Sequence, residues 1–191
     1  MAKDIDAVLK KEKIKHSILL GHRMGGMVAL SYYSMFPKKV KALVIAESSY
    51  KKPLSEGPLK PLAWFIVKSL DLFKKILPDR HYHVNFHKGH WNDIKVVIKG
   101  LLSTRPRAYD ESLHAMLRFD KTRMLKSIKV PTLIIAGTKD PLFTLPTEKK
   151  MNQKIKGSLL DIVQGEHVAV LNKAKFIEKQ IESFLRLRLV S

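Results

Sequence analysis

The chain has 191 residues, 45% apolar and 28% charged, which excludes disordered, collagen-like and low-complexity classes and suits one domain with a sizeable insertion. It contains no cysteine, so disulfides, zinc–thiolate centres and thiol nucleophiles are excluded. Against 17 acidic residues stand 36 basic ones, a formal net charge of +19 that favours anions, but the lysines are scattered along the chain and no specific nucleic-acid partner is expected.

The predicted elements begin with a helix over Asp4 to Ile14, where Ile5, Val8 and Leu9 recur at helical spacing between lysines. Ser17-Ile18-Leu19-Leu20-Gly21 reads as a short buried strand stopped by glycine. Met24 to Phe36 reads as a helix that stops before Pro37, and Val40 to Ala46 as a second buried strand. Helix, strand, helix, strand is the order of a parallel α/β sheet. The middle differs. Pro53, Pro58 and Pro61 mark a loop, and residues 62–77 carry apolar positions on one helical face, a core or lid helix. Further helices are expected over Asp93 to Leu102 and Tyr109 to Leu117. The α/β pattern then resumes, with strands over Pro131 to Gly137 and Ser158 to Val163 and helices over Leu145 to Ile155 and Val168 to Leu187. The expected organisation is a core of residues 1–50 and 126–191 interrupted by a helical insertion, 51–125. No run of about 18 apolar residues is present, so no membrane span is expected. With no secretory signal at Met1 to Asp6 and no cysteine, a cytoplasmic setting is expected.

Gly21-His22-Arg23-Met24-Gly25-Gly26 lies where the first strand meets the next helix. A sharp strand-to-helix turn needs small residues where backbones crowd, here Gly21 and Gly25. It lifts the residue between them to the mouth of the sheet, beside helix N–H groups that can hold an oxyanion. With Met27-Val28-Ala29-Leu30 and Phe36-Pro37-Lys38-Lys39-Val40, the stretch resembles the nucleophile elbow, helix and exit strand of the α/β-hydrolase family, in its ester- and lactone-hydrolysing branch. The resemblance implies a triad acid at Asp140, after the strand ending at Gly137, and a triad base at His167, after the last strand. It places His22 in the elbow, makes the Met24 backbone N–H an oxyanion donor, and makes the insertion a lid.

Two departures shape the expected function. Position 23, where the family has its nucleophile, is arginine, which has no nucleophilic oxygen and stays protonated, so His167 has no hydroxyl proton to take. The family's sheet also has strands before the elbow, whereas one helix precedes it here; the first strand is therefore expected to present an open edge, and one oxyanion donor is missing. Ser17, Ser48 and Ser49 lie off the elbow. Arg23 can instead hold a substrate carboxylate while Asp140 and His167 activate water, or pair with Asp140 and plug the site. The stretch from His81 to His90 holds His83 and His87 four residues apart, suited to one helix face, but no third ligand is identifiable and no metal is assigned. No cofactor is expected. The expected protein is thus a truncated, catalytically impaired relative of esterases and lactonases, self-associating or joined by a partner that supplies the N-terminal strands. The rival readings are a working hydrolase of small acyl esters or lactones completed by another segment, and a basic protein that binds anions or nucleic acid.

Overall fold

Four apolar runs pair side by side in the computed structural model, which describes residues 1–53, 106–140, 142–164 and 173–189. They are β1 (Ser17–His22), β2 (Val40–Ala46), β3 (Thr132–Gly137) and β4 (Leu159–Val163). All three pairings are parallel, in the order β1-β2-β3-β4, so all four carboxyl ends lie along one edge of the sheet. The helices are α1 (Ala2–Lys11), α2 (Met24–Met35), α3 (Pro106–Leu117), α4 (Leu145–Lys154) and α5 (Ala174–Leu189). This is a parallel α/β sheet with helices, as the alternation of elements predicts.

The chain divides into two units, Met1–Pro53 with Phe119–Ser191, and Leu54–Arg118. The sheet belongs to the first. Of the second, the described part holds α3; the helices expected over 62–77 and 93–102 and the histidine stretch lie outside the described residues.

Strand periodicity sorts the core into two layers. Leu43 and Ile45 of β2 and Ile134 of β3 meet Leu30, Tyr32 and Tyr33 of α2 and Met151 of α4, with Leu9 of α1 and Leu19 of β1 packed alongside. On the opposite face Ala42, Val44, Leu133, Ile135 and Val163 meet Ile177 and Phe184 of α5. Each fully buried aliphatic side chain contributes roughly 1.5–3 kcal/mol. α1 ends at Lys11 rather than Ile14 because Lys13 turns left-handed at φ 56°, and the Ile14 N–H donates back to the Leu9 carbonyl in a helix-terminating turn. The helix is tied to α2 by the buried Asp6, which accepts from Tyr32 and from Lys10 and Lys39. Those lysines hold its carboxyl below the usual range.

Among the described residues β1 and β4 are the two edge strands, and β1 is the one that precedes the turn at Arg23. Its alternate residues Ile18 and Leu20 pair with the fully buried Ala42 and Val44, yet they are 42% and 59% exposed. An unpaired strand edge carrying exposed apolar residues invites pairing with another chain. The isolated chain is therefore expected to self-associate with rising concentration, and Leu20→Lys to suppress this. Size-exclusion chromatography with light scattering checks it; a monodisperse monomer at all concentrations would show that the edge does not recruit a second chain.

Candidate active site

The carboxyl ends of β1, β2 and β3 gather the polar residues of interest. Between β1 and α2, Arg23 adopts φ 55° and ψ −120°, a conformation that glycine favours and that costs an L-residue about 1–3 kcal/mol. The neighbouring hydrogen bonds over-determine it. Its N–H donates to the Ala46 carbonyl at 3.0 Å. Its carbonyl accepts from the N–H groups of Gly26 and Met27 and, at 2.6 Å, from the Ser48 hydroxyl. Sterics enforce the same turn: a Cβ on Gly21 would sit 2.4 Å from the Gly25 oxygen, and one on Gly26 2.5 Å from the Ser48 hydroxyl oxygen. Gly25, by contrast, has open space where a Cβ would lie. The crowding expected of both motif glycines therefore falls on Gly21, and what crowds it is the backbone of Gly25.

The Arg23 side chain points into an acidic setting. Burial pulls the pKa of the guanidinium down, and the negative charges of Glu47 and Asp140 oppose that. Its Nε and Nη2 are buried without a hydrogen-bond partner, so the expected bidentate pairing with Asp140 is not made. Asp140 is buried, and one of its oxygens accepts the backbone N–H groups of Leu142 and Phe143 at 2.8 and 2.9 Å, ordering the loop after β3. His167 lies outside the described residues. Met24 opens α2 directly after the turn, so its N–H belongs to the unsatisfied first turn of a helix.

Two buried carboxyls escape a reading of the sequence. Glu47 follows β2 at φ 44°, is fully buried, and accepts from His22 Nε2 at 3.0 Å. Glu148 of α4 is also fully buried; one oxygen accepts the Ser48 N–H at 3.0 Å. Burial, and after it the nearby charges of Asp140 and Glu47, push its pKa up to about 9, against the bond from Ser48. Glu148 is therefore neutral at pH 7. Of the serines near the turn in the sequence, Ser48 and Ser49 are buried, the first donating to the Arg23 carbonyl and the second accepting from the Lys51 N–H, while Ser17 lies at the opposite end of β1.

The raised pKa of Glu148 predicts a pH effect. Between its ordinary value of 4.5 and about 9, the unfolded chain releases a proton that the folded chain keeps. Folding stability is thus highest below 4.5 for this group and falls as pH rises through that window. Glutamine keeps the acceptor for Ser48 and does not ionise. Glu148→Gln is expected to raise the melting temperature increasingly from pH 4.5 to 9. Parallel melting curves across that range would show that Glu148 is charged in the folded protein.

A family model described as serine aminopeptidase, S33 (Hydrolase_4) matches residues 1–167. The chain belongs to that family. Its fold is likewise that of α/β hydrolases. An esterase from Exiguobacterium antarcticum superposes with a TM-score of 0.74 at 22% identity, covering 97% of this chain and 72% of the other. The enol-lactonase from Burkholderia xenovorans gives a TM-score of 0.72 at 16% identity over 96% and 71% of the two chains. Among curated proteins, 3-oxoadipate enol-lactonase 1 of Acinetobacter baylyi is 24% identical over 179 residues, 93% of this chain and 67% of its own length. A pimeloyl-[acyl-carrier protein] methyl ester esterase of Neisseria meningitidis is 27% identical over 168 residues, 82% and 64% of the two lengths. The chain thus spans about two thirds of the length of these relatives.

Proposed function

We propose that this chain is an esterase- and lactonase-like member of the family in which arginine stands at the nucleophile position and acyl-enzyme chemistry is lost. The observation that carries this is the strained turn at Arg23: the backbone that would present a nucleophile is in place, and the side chain on it has no oxygen. In this reading Asp140 and His167 are the acid and base of a triad without a first member, and the Met24 N–H is an oxyanion donor. Residues 51–125 serve as a lid. The acidic surroundings weigh against Arg23 as a receptor for a substrate carboxylate, because Glu47 and Asp140 would repel an incoming anion.

The open edge of β1 favours a second reading. A further segment, from another polypeptide or from the same one, adds strands beside Ile18 and Leu20 and restores the second oxyanion donor, giving a hydrolase of small acyl esters or lactones if a nucleophile is supplied. Turnover of a short-chain aryl ester by the chain alone tests the first reading. The chain is expected to give no saturable rate above a heat-denatured control; saturable turnover would reject the loss of chemistry.

A further inference from the structure

Lysines that are scattered in the sequence converge in the fold. Each return to the start of a parallel strand passes the amino end of the sheet, and each return carries lysine. Lys11, Lys13 and Lys15 precede β1, and all are exposed. Lys38 lies in the turn before β2 and Lys41 on its second residue, again exposed. Lys126 and Lys129 precede β3, and Lys156 precedes β4. Four strands spaced about 4.8 Å apart span roughly 15 Å, so these charges crowd along one short line. Acidic relief there is small: Asp6 is taken by Lys10 and Lys39, which leaves Glu12 among the described residues flanking these strand ends. The carboxyl end of α4 adds Lys154, where the helix dipole favours cations, as it does for Lys11 at the end of α1.

Apolar side chains stand exposed among these lysines. Ile14, between Lys13 and Lys15, is 45% exposed; Met35, at the end of α2, is 42% exposed; Leu159, which opens β4, is 38% exposed. Phosphate backbones of nucleic acid would take the lysines but give these aliphatic groups nothing to contact. An anionic bilayer takes both, the ammonium groups at the headgroups and the aliphatic side chains at the acyl boundary.

We propose that the amino end of the sheet is a docking face for an anionic lipid surface. The Arg23 site lies at the carboxyl end of the same strands, so docking leaves it directed away from the lipid. The face requires no spanning segment, and no described helix is long and apolar enough to cross a membrane.

Co-sedimentation with vesicles tests this, using phosphatidylcholine alone and phosphatidylcholine with about 30 mol% phosphatidylserine in about 0.1 M salt. The chain is expected to bind the phosphatidylserine vesicles and not the neutral ones. Each lysine at an anionic surface strengthens binding by roughly fivefold. Replacing Lys13, Lys15, Lys41 and Lys129 with glutamine is therefore expected to weaken binding by about 100-fold or more. The same change at Lys139, Lys149, Lys173 and Lys175, exposed residues away from the face, removes equal charge and is expected to weaken it by roughly tenfold or less. Ile14→Gln is expected to reduce vesicle binding and leave binding to a short RNA duplex unchanged. Equal loss in the two quadruple variants would overturn the proposal, as would equal binding to neutral vesicles. So would RNA binding stronger than vesicle binding and indifferent to Ile14.

Discussion

Replacing Arg23 with serine is expected to bring faint ester hydrolysis, and large recovery only when N-terminal strands are added. The proposal draws on a turn with φ 55° at position 23, a carbonyl clamped by Gly26, Met27 and Ser48, and, as its proposed acid, Asp140, one oxygen of which accepts two backbone N–H groups. Serine would also remove a guanidinium whose Nε and Nη2 are buried without partners. In the proposed reading the second oxyanion donor comes from a further segment that serine does not supply, and losing one such donor lowers turnover by about 10²–10³-fold. Four proteins test this with a short-chain aryl ester: the parent and Arg23→Ser, each with and without the N-terminal third of a curated relative fused upstream. The fused Arg23→Ser protein is expected to exceed the unfused one by at least that factor. Strong turnover by unfused Arg23→Ser would keep the nucleophile argument and reject the need for further strands.

The second large effect concerns stability. Alanine at Gly21 places a Cβ 2.4 Å from one backbone oxygen and 2.5 Å from the Gly26 nitrogen, and neither can rotate away as a side chain would. The turn must open, at a cost of about 3 kcal/mol or more, or about 6–12 °C in melting temperature for a chain of this size. Alanine at Gly25 meets nothing within 4 Å and is a better helix former, so stability is expected to hold or rise by up to about 1 kcal/mol. The two motif glycines look alike in the sequence, and thermal melts of the two variants tell them apart. Equal losses would mean that the turn differs from the one described.

The sheet was legible because its strands are short apolar runs bounded by Gly, Pro and Lys. β2 occupies Val40–Ala46 as predicted, and β1, β3 and β4 fall within a residue of their expected limits. The elbow was legible in part: Gly21 is crowded as expected, whereas Gly25 has open space and the second crowded glycine is Gly26, against a Ser48 side chain that lies far off in sequence. Glu47 and Glu148 were not legible. A glutamate in a sequence reads as exposed, and nothing local signals that one will meet His22 and the other will stay neutral against the Ser48 N–H. The two guanidinium nitrogens of Arg23 left without partners were hidden as well. Nor does charge alone reveal that one Asp140 oxygen is held by its own loop, a geometry set by the backbone N–H groups of Leu142 and Phe143. The lysine face was invisible for a topological reason: its members lie far apart in the chain, and the parallel connections alone bring them together.

The most direct test of the proposed loss of a nucleophile is labelling with a fluorophosphonate probe, which needs a hydroxyl activated by a base. Intact-mass spectra of the unmodified chain, with an active serine esterase treated alongside, are predicted to show no adduct on the chain and full labelling of the esterase. A stoichiometric adduct mapped to any serine of this chain would contradict the account.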